Sequence, residues 1–439
     1  MKRVLFVTLF SVVFALAFAL TGCGGSKNGP VQLTGTSTAV QFGDVTNDQI
    51  AKFELTVSSI TLKGDTGTTD TANLLTAPVE FEFSHSAGAF EVVSLSKVPA
   101  GTYVSATLNW SNPEIATINN GVPTKITPSP TSGTVTITFA SKITVGTTPT
   151  FLNFDLDLSK SLDLTKTPPA LTPTFTVTAT ATPANQNNED NGDGEDDDVH
   201  GKVTAINAPK FTIQTNAGTS IDFTTDSNTQ FKDGITKLAD LKTGDIVEVD
   251  AMTQSDGTKL ATKVEREGGE TGEEAEGLIS ALDNPLTKIT IAHQVDSMHS
   301  ASSPTTVDIT VNAQTQYSVR SDKLGVTGTF DATHIGKGQR IEADSDGQAS
   351  PIVARKVKLR EQALVGTVSN ATATTFTLTP STTSAFASLS GATSVAVTIA
   401  NGAKLQVTPT NNATVRVRGL VFVSGTTYTM TAVRVDNNQ

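Results

Sequence analysis

Apolar residues in this chain alternate, again and again, with threonine and other polar residues. Val135, Ile137 and Phe139 are separated by threonines, and Leu152, Phe154, Leu156 and Leu158 by Asn153, Asp155 and Asp157. Phe175, Val177, Ala179 and Ala181 repeat the pattern. A strand sends successive side chains to opposite faces of its sheet, so a period of two buries one face and wets the other. A helix turning every 3.6 residues would scatter the same apolar positions around its surface. Threonine and valine, which favour strands, abound, and few stretches carry the pattern of long helices. These features predict an all-β protein.

Phe53, Leu55 and Val57 start a further strand whose phase slips to Ile60 and Leu62, which predicts a bulge near Ser58-Ser59. Pro99-Ala100-Gly101 makes a turn. It feeds a strand with Val104, Ala106, Leu108 and Trp110 on one face. Many short strands with turn signals between them predict a β-sandwich over residues 31–183.

Residues 184–198 are almost wholly Asn, Gln, Asp, Glu and Gly, and read as an acidic linker because they have nothing to bury. A second acidic linker is expected at 268–274, in the charged run from Glu265 to Glu274. Around these lies a diverged repeat. Its units open with Gly201-Lys202-Val203, Gly277-Leu278-Ile279 and Gly366-Thr367-Val368. They close with Ala261/Val264, Ala354/Val357 and Ala432/Val435. Before the close, unit one has Thr243-Gly244-Asp245-Ile246 and unit two has Lys337-Gly338-Gln339-Arg340. A glycine there suits a tight turn with positive φ feeding a strand. The third unit keeps only Val415-Arg416-Val417. The expectation is three separate small β-barrel-like domains in a row, at 199–267, 275–361 and 362–439, the last diverged. Closing each sheet would remove exposed strand edges.

The first residues speak to the compartment. Met1-Lys2-Arg3 precedes an apolar run from Val4 to Leu20, the pattern of a signal peptide, here 1–22. Leu20-Thr21-Gly22-Cys23 resembles the lipobox of bacterial lipoproteins. The resemblance implies cleavage before Cys23 and a diacylglyceryl group on its sulfur. Residues 23–30 read as a flexible tether. Cys23 is the sole cysteine, which excludes an intrachain disulfide, a thiol protease and a multi-cysteine zinc site. A lipid-anchored protein outside the cytoplasm is expected, at the outer membrane in a two-membrane organism, since Gly24 rather than aspartate follows the cysteine.

Val98-Pro99-Ala100-Gly101-Thr102-Tyr103 and Phe154-Asp155-Leu156-Asp157-Leu158-Ser159-Lys160-Ser161 resemble two hallmarks of a bacterial lipoprotein domain, domain-of-unknown-function family 4382. The resemblance covers about residues 31–180 and implies a β-sandwich, with no activity attached. The first repeat unit resembles domain-of-unknown-function family 5666, a small β-barrel-like module often found in tandem. The second unit matches it less well, with an insertion around 293–306, and the third less still.

Chemistry is sparse. The five histidines, His85, His200, His293, His299 and His334, form no zincin pattern, and no nucleophile elbow, P-loop or dinucleotide fingerprint occurs. His293, Asp296 and His299 could converge on a metal from a loop, but a solvated loop is the plainer reading. Glu189, Asn191, Asp193, Gly194 and Asp197 fall at positions 1, 3, 5, 6 and 9 of a calcium loop. Position 12 is His200 rather than a bidentate glutamate, so a solvated linker is expected and no metal or cofactor is assigned. Asp155 and Asp157 share one strand face, read as exposed rather than as an acid–base pair.

The net charge of −12 repels phosphates, and the expected partners therefore exclude nucleic acid, leaving a lipid bilayer at Cys23 and an unknown envelope or extracellular ligand. Only Trp110, Tyr103, Tyr317 and Tyr428 offer rings with a polar handle. The leading expectation is a non-enzymatic, membrane-anchored envelope lipoprotein displaying β modules for binding or structural contact. A carbohydrate-binding lipoprotein is the alternative, and an envelope hydrolase a third.

Overall fold

The computed structural model describes residues 35–45, 47–84, 90–181, 195–215, 218–254, 256–267, 274–296, 299–300, 305–319, 328–345 and 352–437, with backbone only at 45, 195–198, 293–296 and 299–300. Cys23 and the residues expected to form the signal peptide and the tether lie outside this set. Among the described residues no helix is long and apolar enough to cross a membrane. The all-β expectation holds. A two-sheet sandwich is followed by three barrel-like sheets.

One sheet of the sandwich comprises β1 (Thr36–Val45), β4 (Phe90–Val98), β8 (Thr150–Asp157) and β11 (Phe175–Ala181), in the order β11-β8-β1-β4. The other comprises β2 (Ile50–Gly64), β3 (Val79–Glu82), β5 (Gly101–Asn119), β6 (Val122–Ile126) and β7 (Ser132–Val145), with long β5 pairing β2, β6 and β7. A short helix α1 (Leu158–Ser161) and a ribbon of β9 (Leu162–Asp163) and β10 (Ala170–Leu171) join β8 to β11. The inward positions of both sheets build one phenylalanine-rich core. Phe81 meets Phe83 edge-on at 4.8 Å, and Phe42 meets Phe81 at 5.3 Å. The pairing of β2 with β5 slips between Val57 and Ser59, where the alternation changes phase. A second slip, between Tyr103 and Ser105, differs from expectation. It turns Tyr103 rather than Val104 into the core, where its hydroxyl donates to Pro99 O at 2.8 Å.

Barrel 1 contains β12 (Glu195–Asn207), β13 (Lys210–Thr215), β14 (Ser220–Thr224), β15 (Gln230–Lys232), β16 (Ile246–Thr253) and β17 (Lys259–Arg266). Barrel 2 contains β18 (Glu274–Leu282), β19 (Lys288–Asp296), β20 (His299–Ser300), β21 (Thr306–Thr310), β22 (Gln316–Val319), β23 (Arg340–Ser345) and β24 (Ile352–Leu359). Barrel 3 contains β25 (Gln362–Ser369), β26 (Thr375–Pro380), β27 (Val395–Leu405), β28 (Thr414–Ser424) and β29 (Thr427–Asn437), with helix α2 (Ala385–Ser390) after β26.

The repeat seen in the sequence is a repeat of topology. In each unit the first main strand pairs antiparallel with the second and the fourth, and the third closes on the fifth in parallel. Gly244 and Gly338 take φ of +102° and +84°, as the turn before each fourth strand requires. Closure is least complete where the motif is clearest. The β14–β17 and β21–β24 contacts span two residue pairs each, because β15 and β22 occupy the rest of the fifth strand's edge. In the diverged barrel 3, β27 pairs along β29 from Ala396 to Leu405, and the sheet is fully closed.

Two expectations about organisation are corrected. β12 begins at Glu195, paired with Met252, and β18 begins at Glu274, so the ends of both supposed linkers are strand. Nor are the barrels separate. Ala39, Val92 and Phe151 of the sandwich enter the core of barrel 1, and Leu420 and Phe422 of barrel 3 enter that of barrel 2. Ala51, Ala116 and Ile118 of the sandwich pack with Leu278 and Ala292 of barrel 2 and Ala385 of barrel 3. The outward faces of small strands leave apolar patches that only a neighbour can cover.

Candidate functional site

The densest collection of titratable groups lies where barrels 1 and 2 meet. Period-2 alternation puts Val247, Val249 and Val264 into the core of barrel 1, and Ile341, Ala343 and Val357 into that of barrel 2. The intervening residues therefore point outward. They include Glu248, Lys263 and Glu265 on β16 and β17, and Glu342, Asp344 and Lys358 on β23 and β24. Outward is not exposed here, because each barrel covers the other and all six are buried.

Burying charge costs free energy unless each ion finds partners. Lys358 Nζ contacts Glu342 at 2.7 Å and Glu265 at 3.1 Å, and Lys356 contacts Asp233 at 2.8 Å and Glu265 at 3.2 Å. Arg360 reaches Glu342 at 2.9 Å and Glu276 at 3.8 Å. Lys263 holds Glu248 and Asp250 at 3.0 Å each. His200 Nδ1 lies 2.9 Å from Glu267 Oε2. Burial pushes Glu342 upward, but Lys358 and Arg360 overcome it and hold the carboxyl down at about 2. Burial would lower His200, yet Glu267 and Glu248 raise it to about 9. Burial, reinforced by Glu267, Glu342 and Asp344, drives Glu274 well above the usual carboxylate range.

A second concave feature lies between the sandwich and barrel 3. This cleft, of 220 Å³, is lined by Asp48, Asp157, Lys160, Ser384 and Arg416 among others. The Asp48 carboxylate accepts from Ser384 Oγ and from the Phe386 amide at 3.0 Å, tying the β1–β2 turn to α2. Asp157 caps α1 by accepting from the Lys160 amide at 3.0 Å. The exposed face expected for Asp155 and Asp157 is corrected, because barrel 3 covers it and both are half-buried. Burial raises Asp155 to about 6, with Arg434 and Arg416 opposing.

The remaining candidates do not converge. Cys23, His85, Glu189, Asn191 and Asp193 lie outside the described residues. Asp197 sits on strand β12 rather than on a loop, and His200, the twelfth position of the supposed calcium loop, is committed to Glu267. His293 and Asp296 lie on β19, and His299 on β20 pairs across to Asp296, so these three positions are strand rather than loop. His334 bonds Asp331 at 2.9 Å on another loop. Tyr103, Trp110 and Tyr428 are buried, and Tyr317 packs against Phe330. Sequence reasoning missed the charged junction because it treated Glu265–Glu274 as a linker. The available signal was opposite charge at alternate positions of strands from different units.

Residues 200–265 match the family described as Domain of unknown function (DUF5666). No curated protein matches the chain. Among solved structures, a multidomain protein with nucleic acid binding domains from Streptococcus pneumoniae TIGR4 is similar, at 10% identity and a TM-score of 0.12. The match covers 53% of this chain and 72% of that one. Set beside this neighbour's nucleic acid binding domains, the exclusion of nucleic acid from the partners, which was read from net charge alone, is withdrawn. The physical reason is that net charge averages over a whole surface, whereas binding depends on the local field at one face. A likeness this slight supports nothing further about the present chain.

Proposed function

We propose that this chain is a non-enzymatic envelope lipoprotein, anchored by lipid at Cys23, that presents its sandwich and barrels as one packed body for binding or structural contact. The observation that carries this reading is the use made of the reactive side chains. His200, Glu248, Glu267 and Lys263 are bound to one another, and Lys358 to Glu265 and Glu342, between barrels 1 and 2. Asp157 caps a helix and Asp48 clamps another. Groups engaged in this way hold modules in register, whereas a nucleophile needs a free adjacent base. The signal-peptide pattern and the lipobox at 20–23 support export and anchoring, with the outer membrane as destination in a two-membrane cell. The carbohydrate reading requires aromatic platforms at the surface, and three of the four Tyr and Trp rings are in cores.

The test is metabolic labelling with a fatty acid, together with a hydrolase screen of the purified protein. Cys23 takes up label, and Cys23→Ser abolishes it. Label persisting in Cys23→Ser removes the anchor. Turnover lost on His200→Ala, His334→Ala or Asp155→Asn removes the non-enzymatic reading.

A further inference from the structure

The junction between barrels 1 and 2 contains one group of carboxylates that its ion pairs satisfy only in part. Glu267 follows β17, Glu274 opens β18 and Glu342 lies on β23. One oxygen from each falls within 4.8 Å of the others. All three side chains are buried, at 1%, 7% and 0% exposure. Glu267 Oε1 and Glu274 Oε2 have no hydrogen-bond partner. Lys358 and Arg360 contact Glu342 at 2.7 and 2.9 Å and His200 contacts Glu267 at 2.9 Å, but among the described residues no cation makes a short contact with Glu274. A buried carboxylate oxygen with no donor is costly, and three converging ones repel unless something positive sits among them.

The donor set identifies that species. Three hard oxygens and no sulfur suit calcium or magnesium rather than zinc or copper. Calcium binds oxygen at about 2.3–2.6 Å, so ligands on opposite sides of one ion are roughly 4.6–5.2 Å apart. Magnesium, at about 2.0–2.1 Å, needs a tighter set and strict octahedral geometry. Oxygens within 4.8 Å of one another can all reach one calcium ion, and magnesium, which keeps several of its waters, suits a buried all-carboxylate set less well. His200 completes the arrangement as a positioning residue. By holding Glu267 Oε2 at 2.9 Å it leaves Oε1 for the group, as outer-shell partners of metal ligands do. In the other possible trio, His200 with Glu248 and Glu267, two of the three members are bonded to each other at 2.9 Å. We propose that barrels 1 and 2 bind one calcium ion between them, ligated by Glu267, Glu274 and Glu342. The ion fastens the end of the first barrel to the start of the second, and it lies apart from the acidic run at 184–198.

The experiment is calorimetry on the full chain in detergent after treatment with EDTA, with CaCl2 and MgCl2 titrated separately. It is paired with hydrogen exchange on the unsubstituted protein. The expected result is one calcium ion per chain, with magnesium at least about tenfold weaker. Binding is lost in Glu274→Gln and kept in Asp193→Ala. Calcium slows exchange in β17, β18 and β23, a readout that stands even where Glu274→Gln fails to fold. No binding up to about 10 mM calcium, beyond the weakest extracellular calcium modules, overturns the proposal. So does magnesium bound as tightly as calcium, binding that survives Glu274→Gln, or protection that misses those three strands.

Discussion

Barrel 2 meets its two neighbours by opposite means. Toward barrel 1 it presents Glu342, Asp344, Lys356 and Lys358, each in an ion pair. Toward barrel 3 it presents an apolar surface that receives Leu420 and Phe422. That second junction is sealed by neutral hydrogen bonds around the turn before β23. Gln339 Nε2 donates to Val421 O at 2.7 Å, Tyr428 Oη to Lys337 O at 3.0 Å, and Gln362 Nε2 to Gly338 O at 3.1 Å. Apolar burial stabilises in proportion to area and tolerates many arrangements. Buried ion pairs recover their desolvation cost only in one geometry, so they add little net stability but exclude misaligned packings. One repeat thus supplies both a general adhesive and a register lock.

The largest effect is expected from removing a cation from the charged junction. Lys358→Met leaves Glu342 and Glu265 short of a partner and should cost about 3–5 kcal/mol, measured by urea unfolding with EDTA present. A loss under about 1 kcal/mol would mean that the carboxylates there are neutral and that the contrast between junctions is only apparent.

Asp155, facing barrel 3 from the sandwich, tests whether charge can also work against packing. Its carboxyl titrates near 6 in the folded chain, above its ordinary 3.8. The folded state therefore binds more protons between about pH 4 and 6, and stability falls as pH rises through that window. Asp155→Asn should remove the fall and add up to about 2–3 kcal/mol at pH 7. An unchanged pH profile of thermal unfolding would show that Arg416 and Arg434 already compensate the charge.

The apolar junction should yield smaller, graded effects. Phe422→Leu is expected to cost about 1–2 kcal/mol through lost burial, with little dependence on pH. A cost equal to that of Lys358→Met would erase the distinction. Smallest is Tyr428→Phe, which removes the hydroxyl bonded to Lys337 O and should cost about 1 kcal/mol.

These junctions mark the limit of what the sequence discloses. Alternation at Val135–Phe139 and Leu152–Leu158 sorts residues to two sides of a sheet, and the phase change at Ser58-Ser59 locates a bulge. Both follow from local geometry. What covers the far side of a sheet is a long-range property, so Asp155 looked exposed and Glu265–Glu274 looked like solvated linker. The slip at Tyr103 escaped because two adjacent residues there, Tyr103 and Val104, are both apolar enough to face inward. The third repeat looked degenerate because its turn motif is missing. In barrel 2, however, the motif serves docking as well as folding. Gly338 lies where an added Cβ would come within 2.9 Å of the Phe386 ring of barrel 3.

The borrowing of Leu420 and Phe422 by barrel 2 also orders events in time. As the chain leaves the ribosome, strands through β24 are made well before β28, so the second barrel stays unfinished until β28 has been synthesised. A product stopped short of residue 420 would expose two unsealed barrels instead of one. To a protease that samples unfolded chain, such a fragment is a much larger target than the missing residues alone would suggest.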